Sequence, residues 1–244
     1  MKRMLILGIG AALLAVSASA VVVRVDQVAG YNSGDGEFNI SPIVGSGYAA
    51  VDMYNNNLGN LGFGTFCIDR NTGLNPLPGN YNATVLAGDP NKGGQLIAQG
   101  TAWLFSIFAN GGLGTASAIK STTYNYTPGA LTRANSAYFL QLAIWTLEGD
   151  YSYGSLALGL ANNGFLQDAA NFFHGGAGGT AADLATAMNR TGGFGVAVLG
   201  LENANGRAQS MLVLNPSVPD GGSALILLGM GLSSIAMVAR KFRV

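Results

Sequence analysis

The sequence predicts an α+β fold, a mixed domain in which strands flank an inserted helical part. Apolar segments rich in strand-forming residues lie near both ends of the middle region, and apolar segments of helical character lie between them. An uncharged apolar segment at each terminus adds an N-terminal signal peptide and a C-terminal single transmembrane helix. The expected boundaries are residues 1–20 for the signal peptide, 21–217 for the exported domain and 218–244 for the tail.

Three strands are predicted ahead of the helices. Val21–Val25 is rich in β-branched residues and precedes a loop of Gly, Asn and Asp. Tyr48–Tyr54 and Leu61–Ile68 also have strand character, with turn-forming residues between them. Asn71–Asn80 contains two prolines and is therefore predicted to be a loop.

Four helices are predicted in the middle of the domain. They span Gln95–Ala109, Asn135–Leu147, Phe165–Phe173 and Leu184–Met188. The second of these is apolar on nearly every face, so we expect it to be buried. Thr180 and Asp183 have the spacing of a capping box ahead of the last helix.

Two further strands are predicted after the helices, at Val196–Leu201 and Ala208–Leu214. The residues Asn203-Ala204-Asn205-Gly206 between them are typical of a hairpin turn. The helical part is therefore expected to interrupt two groups of strands. No internal repeat and no heptad pattern is present in the sequence.

The charge distribution argues against a nucleic-acid partner. Residues 21–217 carry 7 basic and 11 acidic side chains, a net charge of −4, which is too little positive charge to neutralise a row of phosphates. One His and one Cys make no ligand cluster, so neither a metal nor a cofactor is predicted. We interpret Asp69, Glu148 and Asp150 as solvated surface or loop carboxylates.

The N-terminus has the pattern of a secretory signal. Lys2 and Arg3 provide the positive start, and the uncharged segment 4–16 is short for a membrane span. Ala18-Ser19-Ala20 is a small-residue cleavage pattern. We therefore expect export through the Sec machinery and a mature chain that begins near Val21. An uncleaved anchor helix is the alternative.

The C-terminus has the pattern of a second targeting signal. A turn-forming motif, Val218-Pro219-Asp220-Gly221-Gly222, leads into residues 221–239, none of which is charged. As a helix, 19 residues reach about 28 Å, close to the thickness of a bilayer core. The basic residues Arg240, Lys241 and Arg243 follow, and basic residues stay on the cytoplasmic side. The domain is therefore expected outside the membrane.

This tail resembles the PEP-CTERM class of bacterial sorting tails. Its motif is closest to the variant that begins Val-Pro-Asp-Ser-Gly, with Gly221 in place of Ser. The resemblance implies recognition by an exosortase-type membrane protease and cleavage or transfer near the motif. It also implies a Gram-negative host that makes exopolysaccharide. A plain transmembrane anchor is the alternative.

Two residues of the domain have unusual surroundings. Cys67 is the only cysteine of an exported chain, so it forms no intramolecular disulfide. Strand alternation places its side chain opposite those of Phe66 and Ile68. Gln141 lies in the middle of the apolar second helix, where an unpartnered carboxamide costs about 1–3 kcal/mol. A buried inert thiol and a Gln that satisfies a loop backbone are the simplest interpretations.

The pair resembles the thioester domains of bacterial surface adhesins. Phe66-Cys67 matches the aromatic-Cys element of that family, and Gln141-Leu142-Ala143-Ile144-Trp145 matches its Gln-x-Ala-Ile/Val-Trp element. Ala98-Gln99 with Ala102-Trp103 is a loose match to a middle element. Leu140 stands where the family usually has Thr. The resemblance implies an internal thioester between the Cys67 sulfur and the Gln141 side chain, with Phe66, Trp103 and Trp145 excluding water.

Three functions follow as hypotheses. The first is covalent attachment to an amine or hydroxyl of a partner, which is one event per molecule and not enzymatic catalysis. The second is a non-covalent structural protein of the extracellular matrix, associated with exopolysaccharide or a surface protein. The third is a hydrolase in which Cys67 and His174, the only histidine, act as nucleophile and base.

Overall fold

The computed structural model describes residues 21–28, 36–42, 62–127 and 131–214. Three predictions lie outside these residues: the signal peptide, the strand at Tyr48–Tyr54 and the C-terminal tail. Among the described residues, no helix has the length and apolar character needed to span a bilayer. The predicted span at 221–239 lies outside that set.

The described residues form nine strands and five helices. The strands ahead of the helices are β1 (Val21–Gln27), β2 (Phe38–Pro42), β3 (Phe63–Thr65), β4 (Gly79–Leu86), β5 (Gly88–Asp89) and β6 (Gln95–Leu96). The helices are α1 (Gln99–Ala109), α2 (Leu131–Leu147), α3 (Leu156–Asn162), α4 (Gly164–His174) and α5 (Ala181–Ala187). The last strands are β7 (Val196–Asn203), β8 (Gly206–Arg207) and β9 (Met211–Leu214). The predicted α+β class, with helices between two groups of strands, is confirmed.

One antiparallel sheet has the strand order β3-β2-β1-β4-β7-β8, and β9 also pairs with β7. An isolated antiparallel bridge joins Cys67, just after β3, to Met211 at the start of β9. The sheet therefore curls until the chain just after β3, at one end of the order, meets β9, which pairs with β7 near the other end. The short pair β5-β6 lies apart from this sheet.

Alternation along the strands creates two apolar clusters, one on each face of the sheet. Phe66 and Ile68 belong to the cluster that contains the helices, whereas Cys67 belongs to the cluster on the other face. Helix α2 contributes to both, with Leu140 in the helical cluster and Trp145 beside the sheet. The predicted side of Cys67 is confirmed, and the predicted burial of the helix is confirmed from Leu140 to Leu147, whereas Tyr138 and Phe139 are exposed.

Sequence patterns miss β2, β4, β5 and α3. In β4 the buried Tyr81 and Ala83 alternate with exposed Asn80 and Asn82, so a period of two is present. Because asparagine is depleted in strands, the sequence predicted a loop at Asn71–Asn80 and no strand after it. The predicted start of the first helix is also wrong, because residues 95–96 pair with β5.

The other predicted elements agree with the structure within a few residues. Helix α2 begins at Leu131, four residues before the expected start. Helix α5 has the predicted capping box, in which the Asp183 carboxylate accepts from the Thr180 backbone N–H at 2.8 Å and its hydroxyl at 2.7 Å. The predicted hairpin turn connects β7 and β8, with Asn203 opposite Gly206.

Candidate functional site at Cys67 and Gln141

Cys67 lies on a short extension of β3 that pairs with β9. The hydrogen bonds come from its neighbours: Ile68 N–H donates to Ser210 O, and Leu212 N–H donates to Phe66 O, both at 3.1 Å. Cys67 and Met211 are therefore a non-hydrogen-bonded antiparallel pair, in which the side chains approach closely. The N–H and C=O of Cys67 itself consequently point away from β9.

The Gln141 side chain binds these two backbone groups. Cys67 N–H donates to Gln141 Oε1 at 3.0 Å, and Gln141 Nε2 donates to Cys67 O at 2.7 Å. The carboxamide thus takes the place of a neighbouring strand at this edge. Both residues are fully buried. Of the alternatives for Gln141, the simplest one, a carboxamide that satisfies backbone groups, agrees with the structure, and those groups belong to Cys67.

The sulfur of Cys67 lies in an apolar environment. The thiol donates to the Met211 thioether, with 3.6 Å between Sγ and Sδ. Cys67, Met211, Leu142 and Trp145 belong to the same buried cluster. The carboxamide is therefore fixed on the backbone of the residue that carries the thiol, and the thiol itself is buried away from bulk water.

Only one of the three expected aromatic side chains shares the cluster of Cys67. Trp145 lies there, with the Arg70 guanidinium 5.7 Å from its ring centroid. Phe66 packs on Phe108 in the helical cluster, at 4.9 Å between ring centroids. Trp103 stacks on Phe172 at 4.6 Å in that same cluster. The expectation that Phe66 and Trp103 surround the sulfur is wrong, because strand and helix geometry turn both to the opposite face.

The loose middle element does not contact the pair. Gln99 Nε2 donates to Thr186 O at 2.7 Å and ties α1 to α5. Leu140, where the resembled family usually has Thr, is fully buried in the helical cluster. Apolar packing therefore replaces any hydrogen bond that a hydroxyl at this position would make.

The carboxylates at the end of α2 are structural and not simply solvated. Glu148 is buried; it accepts the Ala98 N–H at 2.9 Å and pairs with Arg190 at 2.7 Å. Asp150 pairs with Lys92 at 2.6 Å. Asp69 is also buried and accepts the Asn71 N–H at 2.9 Å. The interpretation of these three residues as loop carboxylates agrees with the structure, but Asp69 and Glu148 are buried and all three are hydrogen-bonded or ion-paired instead of simply solvated.

Residues 217–242 match the model of the VPDSG-CTERM motif. The chain carries a PEP-CTERM-type sorting tail. Such a tail marks an exported protein that an exosortase-type membrane protein processes in the cell envelope. The match covers the motif at 218–222 and the basic residues Arg240 and Lys241. Neither a curated protein nor a solved structure matches the chain.

The sorting tail follows closely on the strand that supports Cys67. Strand β9 ends at Leu214, and the motif match begins at residue 217. Only residues 215 and 216 therefore separate the tail from the strand that carries Met211.

The pair required for the hydrolase hypothesis is not assembled in the described part of the chain. His174 is the last residue of α4, and its Nδ1 lies 3.2 Å from Asp183 Oδ2 with the side chain 46% exposed. Cys67 is fully buried against Met211 and Gln141. Favourable charge interactions with the helix C-terminus and with Asp183 account for His174.

Met211, Arg70 and Tyr151 complete the surroundings of the pair. Met211 is one apolar residue in a strand of apolar residues, so nothing in the sequence distinguishes it. Arg70 lies over both Trp145 and Tyr151, at 5.7 Å and 5.2 Å from their ring centroids. In the sequence, the only sign that Arg70 belongs to this site is its position three residues after Cys67. Among the described residues, no three His, Cys, Asp or Glu side chains are grouped to hold a metal ion.

Proposed function

We propose that this exported protein attaches covalently to a partner at the cell surface through a thioester between Cys67 and Gln141. The observation that supports the proposal most strongly is the reciprocal pair of hydrogen bonds between the Gln141 carboxamide and the Cys67 backbone. In this proposal the signal peptide is removed near Val21, residues 221–239 hold the tail in the membrane, and the exosortase-type protein then processes it. The domain is not an enzyme.

Thioester formation is balanced within the two side chains. The Cys67 sulfur attacks Cδ of Gln141, and a negative charge develops on Oε1. The Cys67 N–H already donates to that oxygen at 3.0 Å, so it stabilises the charge as it forms. The Cδ–Nε2 bond then breaks, and the thiol proton leaves with the nitrogen as ammonia.

Attachment opens the thioester with a nucleophile from the partner. An amine or hydroxyl of the partner attacks Cδ, the S–Cδ bond breaks, and the proton of the nucleophile returns to the Cys67 sulfur. The products are an amide or ester on Gln141 and a free thiol. Burial in the apolar cluster of Trp145 and Met211 slows hydrolysis until the partner arrives. Each molecule reacts once.

Intact mass and amine reactivity test the thioester. The purified, folded protein should weigh one ammonia less than its sequence requires, and methylamine should convert it to the methylamide of Gln141. Cys67→Ala should abolish both effects. Gln99→Ala is the matched control, because Gln99 binds Thr186 O and should leave the mass deficit intact. A wild-type protein that retains the ammonia and ignores methylamine contradicts the proposal.

The second candidate is a non-covalent matrix protein, associated with exopolysaccharide or a surface protein. It is favoured by the same contacts, because the intact carboxamide satisfies the buried N–H and C=O of Cys67. Here Cys67→Ala should leave partner binding unchanged, since only backbone groups are used. Under the covalent proposal, the same variant should lose attachment that survives denaturation.

A further inference from the structure

The indole N–H of Trp145 is a buried donor without an acceptor. Trp145 is 3% exposed, and no acceptor among the described residues reaches its Nε1. Most buried polar groups in folded proteins are hydrogen-bonded, so an exception calls for a reason. An unsatisfied buried donor costs about 1–3 kcal/mol. The resting fold therefore bears a cost at this position without a compensating contact.

Trp145 lies one helical turn after Gln141 on α2. Residues four apart share a helix face, with about 5–6 Å between their Cβ atoms. Long side chains on a helix lean back toward its N-terminus, so the Trp145 ring leans over the turn that carries Gln141. Trp145, Cys67 and Met211 also belong to the same apolar cluster. The unused donor consequently belongs to a ring on the same face of α2 as the carboxamide, in the cluster that contains the sulfur.

The surface side of this ring is covered. The Arg70 guanidinium lies over Trp145 and Tyr151, and the Arg70 backbone N–H donates to Asp150 Oδ2 at 3.3 Å. Asp150 is in turn paired with Lys92. This cover keeps water away from the indole, and a hydrogen bond formed beneath it is stronger than one in solvent.

We propose that the Trp145 indole N–H is the second donor to Gln141 Oε1 when the thioester forms and when it opens. This inference rests on the proposed function. In the resting amide, Oε1 accepts the Cys67 N–H at 3.0 Å. As Cδ becomes tetrahedral, Oε1 moves and gains negative charge, and the indole N–H then donates to it. The indole keeps its proton throughout.

The absence of a resting partner is what makes this donor effective. Only interactions that are stronger in the transition state than in the ground state accelerate a reaction. The Cys67 N–H is already engaged before the reaction, whereas the bond of the Trp145 N–H forms only in the transition state. The Trp145 N–H is thus proposed to contribute to rate and not to resting stability, to which the buried ring contributes by packing.

The test compares Trp145→Phe with Trp103→Phe, the same change at the other buried tryptophan. Once the mass deficit of the wild-type protein is established, the rate at which methylamine opens the thioester is measured by mass spectrometry for wild type and both variants. The stability of each protein is measured by urea unfolding. Removing a single oxyanion donor slows reactions about 100- to 1,000-fold, so Trp145→Phe should open slower by at least tenfold. Trp103→Phe should open at the wild-type rate.

A second variant separates the N–H from the ring. Benzothienylalanine in place of Trp145 keeps the bicyclic shape and replaces only the N–H by sulfur. It should be at least as stable as wild type and open slowly, and the stretching frequency of the thioester carbonyl in isotope-edited infrared spectra should not change, because the indole bond forms only in the transition state. Wild-type opening rates in this variant overturn the inference while leaving the thioester in place. A wild-type protein without the mass deficit overturns both proposals together.

Discussion

Asp168 on α4 is a fully buried carboxylate whose environment sets its protonation. Burial raises its pKa, although hydrogen bonds from Ser121 and Thr122 oppose the shift. The carboxylate accepts the backbone N–H groups of these two residues at 2.7 Å and 3.0 Å. It therefore ties the loop ahead of α2 to the helical cluster. The exposed Asp183 has the opposite shift, because bonds from Thr180 lower its pKa.

The two aspartates should give opposite pH dependences of stability. For Asp168, whose folded pKa is raised, the stabilising contribution is full below the unfolded pKa of about 3.8 and is lost as pH rises through the folded pKa. Asp168→Asn should remove that decline. For Asp183, the contribution is present above pH 3.8 and is lost as pH falls through the lowered pKa, so Asp183→Asn should remove a loss on the acid side.

Urea unfolding from acid to neutral pH measures how the free energy of unfolding changes with pH in each variant. The slope of that dependence is compared with the wild-type slope. The loop bonds confound absolute stabilities, because an Asn at 168 accepts only one of the two N–H groups. The slopes are unaffected by that loss. Equal slopes in wild type and Asp168→Asn would contradict the assignment.

At the scale of elements, the Gly-rich segment between α4 and α5 brings the two helices together. Asn171 Oδ1 accepts the N–H groups of Gly178 and Gly179 at 3.1 Å and 2.9 Å. A Cβ on Gly179 would lie 2.3 Å from the Ala170 carbonyl carbon. The segment therefore passes too close to the backbone of α4 for any side chain at residue 179.

Gly179→Ala should destabilise the domain by about 1–3 kcal/mol, since the backbone of α4 must shift to admit the methyl group. Gly176→Ala is the matched control, because nothing lies within 4 Å of a Cβ built there. Its effect should stay within about 0.5 kcal/mol. Chemical denaturation of both variants measures the difference, and equal stabilities would show that α4 and α5 adjust freely.

The individual elements show which parts of the structure could be predicted from the sequence. Apolar periodicity was sufficient for four of the five helices but missed α3, and alternation was sufficient to place Cys67 opposite Phe66. The burial of Gln141 predicted that it had a partner. Its contact with Cys67 is 74 positions away and was expected only from the family resemblance, because pairing of that range depends on sheet curvature. The orphan N–H of Trp145 is invisible in sequence, since it is defined by the absence of an acceptor.

At the scale of the whole molecule, the strand that supports the candidate site is followed closely in the sequence by the sorting tail. Strand β9 pairs with β7, supports Cys67 through Met211, and ends two residues before the tail match. The domain is therefore coupled directly to the segment that the envelope machinery recognises.

Truncation after Ser217 should separate sorting from folding. The shortened protein keeps every described residue, so its unfolding midpoint should equal that of the full chain. It should be exported but lost from the cell-surface fraction, as measured by fractionation and immunoblotting. An unchanged distribution would show that the tail is not the sorting determinant. Arg240→Ala is a milder control that retains the motif at 218–222.

The closure of the sheet by β9 imposes an order of events during biosynthesis. A ribosome makes β9 last among the described elements, and until that strand emerges Cys67 lacks the backbone partner that orients it. Under the proposed function, thioester formation would therefore wait until β9 has been synthesised and has paired beside Cys67.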